Sequence, residues 1–241
     1  MNYKRMSLLV RGYGYAIRQR IAGGIINKVL DLLAWSDIRV LVWLSMWHPS
    51  MDYRLKYMKM RGVNIGENVH IDLGVMIEFT TPRSVFLEDY TALGYCAQIL
   101  AHDAAPGALF DLPMRVQETR IGYNSAVGSY SIIMPGVKVG RNCGVVAGSV
   151  LTKNVPDGTV WGGNPAKEIV SVADVALGWQ AHMKKHPELY YDHPNFNRAP
   201  STPYDHVITW REEGIEIQPD SNIRTGLPFD YIIEAKAMKD K

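Results

Sequence analysis

His102 stands in the string ILAHD, between a run of regularly spaced aliphatic residues and a stretch where that spacing breaks off. An imidazole has an unperturbed pKa of about 6.5, so near neutral pH it is mostly uncharged and able to take a proton. Held beside an activated acyl compound and a hydroxyl, such a group is a general base. Of the seven histidines, only His70 shares the periodic region with it. His48 precedes a proline, His182 and His186 fall on one face of an expected helix, and His193 and His206 lie in a Pro/Asn-rich stretch. These five read as surface or capping residues. A zinc-type centre of three imidazoles lacks the close histidine pair it would need beside His102, and no metal is expected. Cys96 and Cys143 fit neither a disulfide framework nor a thiolate metal site and read as small buried thiols at interior positions. No Ser–His–carboxylate spacing stands out.

The frame that must hold His102 has a period of six. Aliphatic residues start successive hexads at Ile65, Ile71, Ile77, Leu87, Leu93, Ile99, Ile121, Val127, Ile133, Val139, Val145 and Leu151. Only 58 of the 241 residues are Ile, Leu or Val, so the regularity is not chance. Two insertions interrupt it, at 82–86 and at 103–120. Four residues after each start the side chain is small or β-branched, as at Val69, Ala97, Ser125, Ser131 and Ser149, with Asp103 the exception. Gly follows the start at 66, 94, 122, 128 and 140. A helix repeats every 3.6 residues and a flat strand every 2.0. Six is the signature of a solenoid made by parallel β-coiling, in which three hexads close one triangular coil. About four such coils are expected over residues 61–170.

The flanks differ from this core. Residues 1–60 read as an N-terminal helical segment, with Ile17, Ile21, Ile25, Val29 and Leu32 at three- and four-residue spacing. Residues 173–185 read as a helix ending at His186-Pro187. The remainder of 171–241 reads as an appendage with short strands near 207–210, 215–218 and 230–234. Charge is uneven as well. Residues 1–61 hold eleven Lys/Arg against three Asp, giving +8, while the rest carries fifteen basic and twenty-one acidic side chains, giving −6. A basic segment that also holds Trp35, Trp43 and Trp47 is compatible with peripheral contact to an anionic membrane surface. A helical cap with a merely solvated basic face is the competing reading. The apolar run 38–47 is ten residues long, whereas a spanning helix needs about 20. The N-terminal apolar run breaks at Arg11, so no secretory signal is read and a cytoplasmic location is expected. No nucleic acid partner is expected.

With the hexads aligned, residues 61–170 closely resemble the left-handed β-helix (hexapeptide-repeat) acyltransferases, especially the sugar and xenobiotic O-acetyltransferase branch. The text that carries the resemblance is IGYNSAVGSYSIIMPGVKVGRNCGVVAGSVLTKNVPDGTVWGGNPAKEI, with the upstream ILAHD. The left hand comes from the resemblance alone, against the usual right-handed crossover rule. The resemblance implies a homotrimer with acetyl-CoA in the groove between neighbouring β-helices. It implies that His102 is the catalytic base, next to an excursion that reaches over the active site. Ser129 and Ala147 would line the pantetheine arm, where small side chains let its amides reach backbone. Thr152, Lys153 and Lys167 would meet the nucleotide end, since phosphates favour hydroxyl and cationic partners.

Three functions therefore compete. The first is acetyl transfer from acetyl-CoA to a hydroxyl, or an amine, of a saccharide or similar small acceptor. The second is a metalloenzyme like the γ-class carbonic anhydrases, which share the fold. The third is a non-catalytic β-helix scaffold.

Overall fold

A computed structural model describes residues 38–190 of the chain, together with Lys28, Val29 and Leu32. Two helices, α1 (Ile38–Trp47) and α2 (Met51–Arg61), form an antiparallel pair broken at His48-Pro49. Proline cannot continue a helix hydrogen-bond ladder, so the break falls there. Gly62 closes α2 in the left-handed region at φ 100°, its N–H reaching the carbonyls of Lys59 and Met58. No helix among the described residues is long and apolar enough to cross a membrane. The helix expected through Ile17, Ile21 and Ile25 and the strands expected from 207 on lie outside the described residues.

From Asn64 to Leu151, outside the excursion, the chain makes strands of two or three residues, each ending on a hexad start. They stack in parallel into three faces. The first face pairs Ile65, Leu87, Ile121 and Val139, the second Ile71, Leu93, Val127 and Val145, and the third Ile77, Ile99, Ile133 and Leu151. Four coils result. All twelve starts but Ile65 are buried, and with Val69, Val75, Ala97, Val137, Cys143 and Val155 they form one continuous core. Each buried aliphatic is worth about 1.5–3 kcal/mol of burial. The glycines after the starts are steric: a Cβ at Gly128 would stand 2.4 Å from the backbone nitrogen of Ala147 in the next coil.

The fourth place of the hexad turns the corner. Asn68, Gly74, Tyr90, Cys96, Asn124, Tyr130, Gly136, Asn142 and Gly148 all have φ between 52 and 84° there. Cys96 is therefore not an interior thiol as expected. It projects at a corner, half-buried, with its sulfur over Gly74 of the coil below. Cys143 is buried, as its interior place requires.

Helix and hairpin close the two ends of the stack. Below the first coil, α2 contributes Met58 and Leu55 to the core. It also contributes Arg54 and Arg61, which are buried. Higher in the stack the carbonyls of Leu93 and Ile99 accept the N–H groups of Asp72 and Glu78 from the coil beneath. The carbonyls of Ile71 and Ile77 have no coil beneath, and the arginines take them instead, at 2.6 Å each. This capping removes an open sheet edge. At the far end the coil gives way to an antiparallel hairpin, Thr159–Gly163 with Ala166–Ser171. A third described helix of more than two turns, Val172–Lys185, follows it, capped by the Ser171 hydroxyl accepting from the N–H of Asp174.

Candidate active site

His102 occupies the fourth place of the hexad that begins at Ile99, but the corner does not form there. The backbone stays extended, and His102–Asp103 pairs antiparallel with Arg115–Val116. That pair is the stem of the excursion, which carries a short helix, Ala105–Phe110, at its tip. The chain rejoins the stack at Thr119, two residues before Ile121, where the periodicity resumes. Thr119 is fully buried and fills the interior corner that Asp103 cannot. Its hydroxyl donates to the Leu100 carbonyl at 2.6 Å and accepts from the N–H of Gly136. Gln117 also closes the stem, its N–H bonding the carbonyl of Ala101 at 2.8 Å. His102 is thus fixed on both sides.

The imidazole rests on a carboxylate that sequence reasoning missed. His102 Nδ1 lies 2.7 Å from both carboxylate oxygens of Glu78. The Glu78 side chain has no exposed surface, while His102 keeps 27%. Glu78 Oε2 accepts the backbone N–H groups of Ala101 at 2.9 Å and His102 at 3.1 Å, and Oε1 accepts those of Thr80 and Thr81. Burial by itself would raise the pKa of this carboxyl. The N–H donors and the imidazole outweigh burial, and the pKa is held below its ordinary value of 4.5. Glu78 is therefore an anion near neutral pH. An ionised carboxylate only accepts, so Nδ1 carries the hydrogen and neutral His102 presents the lone pair of Nε2 outward. A usable signal was present in the hexads: setting Ile77 beneath Ile99 places Glu78 one coil below the segment that carries His102.

The other expected site residues fall on neighbouring parts of the same surface. Ser129 and Ala147 share one corner column between the second and third faces, with Tyr95 beneath them. Ser129 is half-buried and Ala147 exposed. Lys167 is exposed in the terminal hairpin opposite Gly162, and Gly162 packs on Val146, the residue before Ala147. Thr152 and Lys153 are exposed directly after the third-face strand Val150–Leu151. That strand is two coils above Gln98–Ile99, about 10 Å at ordinary strand spacing. His102, Thr152 and Lys153 lie on segments that follow third-face strands and Ser129 and Ala147 at the corner beside that face, while Lys167 is on the hairpin that extends the second-face sheet. His70 does not join them: it lies on the second face of the first coil, 3.4 Å from Asp72. Arg115 and Glu118 pair with Asp103 and Arg120. Among the described residues no three His, Cys, Asp or Glu side chains are grouped as a metal ion would need.

Comparison with known proteins agrees with this architecture. A model of the family described as hexapeptide repeat of succinyl-transferase matches residues 118–153. YvoF of Bacillus subtilis (strain 168), which carries an acetyltransferase name, is 31% identical over 126 residues, covering 52% of this chain and 68% of YvoF. The galactoside O-acetyltransferase of Lactococcus lactis subsp. lactis (strain IL1403) is 28% identical over 131 residues, covering 50% of this chain and 61% of that enzyme. Among solved structures, a maltose O-acetyltransferase from Clostridium difficile 630 is 20% identical, with a TM-score of 0.44, covering 60% of this chain and 84% of that one. The periodic core, its three-faced coils and the match to YvoF together place the chain: it belongs to the hexapeptide-repeat acyltransferases, the family of the left-handed parallel β-helix.

Proposed function

We propose that the chain transfers the acetyl group of acetyl-CoA to a hydroxyl of a saccharide or similar small acceptor, with His102 as general base. The observation that carries this reading is the His102–Glu78 pair at the foot of the excursion. A thioester is already activated, so the protein needs chiefly to place a hydroxyl against the carbonyl and take its proton. Nε2 of His102 accepts that proton as the hydroxyl oxygen bonds to the thioester carbon. The tetrahedral intermediate then collapses, the carbon–sulfur bond breaks, and the imidazolium returns the proton to the departing thiolate. Glu78, anionic and buried, holds the ring and stabilises its charged form between the two steps. Cys143 is a poor alternative nucleophile, because burial pushes its thiol pKa up. The saccharide acceptor is supported by the names of the galactoside and maltose enzymes to which the chain is similar.

Donor binding is assigned to the column of Ser129 and Ala147, with Thr152, Lys153 and Lys167 at the phosphate end. Completion of the site by a second copy follows from the exposed apolar tip of the excursion, where Leu109, Phe110 and Leu112 find no cover within the described chain. A homotrimer is the closed assembly proposed. Incubation with labelled acetyl-CoA and a panel of galactosides and maltosides, followed by mass spectrometry, tests the reading. Labelled O-acetyl sugar is expected, and Lys167→Glu should weaken CoA binding about ten-fold, as loss of one charge-assisted bond does. Absence of product with any sugar, together with CoA affinity unchanged in Lys167→Glu, would overturn it. Light scattering giving the mass of one 27.1 kDa chain would remove the trimer.

Peripheral membrane contact has one supporting observation. Trp43 and Trp47 stand at i and i+4 on α1 with 59% and 44% exposure. Arg54 and Arg61 are turned inward, so two of the eleven basic residues in 1–61 serve as caps and not as a charged surface. Binding to anionic vesicles at low salt, lost in Trp43→Ser, is the expected result. Vesicles that leave the protein in the supernatant would remove the contact.

A further inference from the structure

Arg54 and Arg61 lie two helical turns apart on α2 and do the same structural task, but they do it for different strands. Arg54 donates to the carbonyls of His48 and Pro49 and, across the helix–coil boundary, to Ile71. Ile71 leads to no site residue. Arg61 Nη2 donates to the carbonyl of Ile77 at 2.6 Å and to that of Glu78 itself. Its Nη1 donates to the Ser45 hydroxyl at 3.1 Å, and that hydroxyl in turn donates to the carbonyl of Val42 on α1 at 2.7 Å. Ser45, Arg61 and Glu78 are all buried. Burial lowers the Arg61 pKa to about 10, an effect that the Glu78 charge partly offsets, so the guanidinium stays protonated at neutral pH.

We propose that Arg61 is a positioning residue for the His102–Glu78 pair. This rests on the reading of His102 as the base. A planar fork on two successive carbonyls fixes the rotation of the Glu78 backbone, and with it the direction in which its carboxylate leaves the strand. The fork is anchored through Ser45 to α1, so the two N-terminal helices set the pose of a ring that they do not touch. The buried cation also favours the anionic form of Glu78, which keeps the Nδ1 hydrogen on the imidazole while Nε2 is charged and discharged. Arg54 is the internal control: the same residue type, on the same helix, capping the same coil, without a link to the pair.

The test compares Arg61→Met with Arg54→Met in the full chain. The first readout is the hydrogen-bonded Nδ1–H resonance of His102, assigned by its loss in His102→Ala. Both variants should melt earlier, since each uncovers a buried carbonyl. Only Arg61→Met should lose or broaden the resonance and lower kcat by about 10²-fold, as small misplacements of a catalytic group do, with KM for acetyl-CoA unchanged. Should Arg61→Met not fold, Arg61→Lys keeps the charge and loses the fork, and it should shift the resonance and lower kcat to an intermediate value. An unshifted resonance in Arg61→Lys or Arg61→Met, or an equal change in Arg54→Met, would overturn the proposal. His102→Ala with full kcat would instead remove the reading of the base, and the resonance would still judge the positioning.

Discussion

Two histidine–carboxylate pairs sit on the same β-helix, one coil apart, and they differ in almost everything that matters for chemistry. His70 and Asp72 are two residues apart in sequence, 3.4 Å apart in space, and their side chains are 47% and 28% exposed. His102 and Glu78 are 24 residues apart in sequence, 2.7 Å apart in space, and 27% and 0% exposed. Asp72 bonds its partner from solvent, where screening and rotamer freedom leave an ion pair worth little. Glu78 bonds from a buried socket with four backbone N–H groups on its oxygens. The lesson is that proximity in the chain makes a pair, whereas a socket built from another coil makes an oriented base.

The largest test of that contrast replaces each histidine. His102→Ala should lower kcat by about 10²–10⁴-fold, the usual worth of general-base catalysis, without changing acetyl-CoA affinity or assembly. His70→Ala should leave kcat within about two-fold, since imidazole that does not meet the reacting proton contributes nothing to its transfer. Steady-state kinetics on both variants would break the comparison if the two losses were alike.

A smaller effect should follow from replacing the carboxylates. Glu78→Gln keeps the size but turns an acceptor-only group into an amide, and kcat should fall about 10–100-fold, as loss of an orienting partner typically costs. Asp72→Asn should be silent in the same assay. A Glu78→Gln enzyme with wild-type kcat and an unaltered pH–rate profile would mean that the socket only builds the corner.

The smallest effect is in stability against pH. Glu78 has a folded-state pKa below its ordinary value of 4.5. Its contribution to stability is therefore fully present above about pH 4.5 and is lost as pH falls through the lowered folded value. The melting temperature of wild type should exceed that of Glu78→Gln near neutrality, and the gap should close on acidification below the ordinary carboxylate range. A gap that stays constant down to strongly acidic pH would show that the charge of Glu78 is not what the socket stabilises.

Much of this was legible before any coordinates. The starts at Ile71, Leu93, Val127 and Val145 named one face, and those at Ile77, Ile99, Ile133 and Leu151 named another, because each interior place admits only an aliphatic side chain. Glycine after the starts at 122 and 128 was visible too, but its reason, backbone passing within 2.4 Å of where a Cβ would stand, was shown only by the structure. The break at Asp103 marked the excursion, since a carboxylate cannot fill an interior corner. Cys96 was misread because the count of apolar neighbours says nothing of the corner place, where the side chain points outward. The antiparallel hairpin at 159–171 was not legible either, since its strands obey no hexad.

Sequence alone determined the period, the identity of the interior side chains and the place where the chain leaves the stack, because these depend on residue size and spacing within one coil. Tertiary structure alone decided which carboxylate serves His102, which helix arginine caps which strand, and that the hairpin carrying Lys167 closes on the second face. Each of these joins residues whose distance along the chain bears no relation to their distance in space, and only the stacking of one coil on another, with a helix beneath and a hairpin above, fixes it.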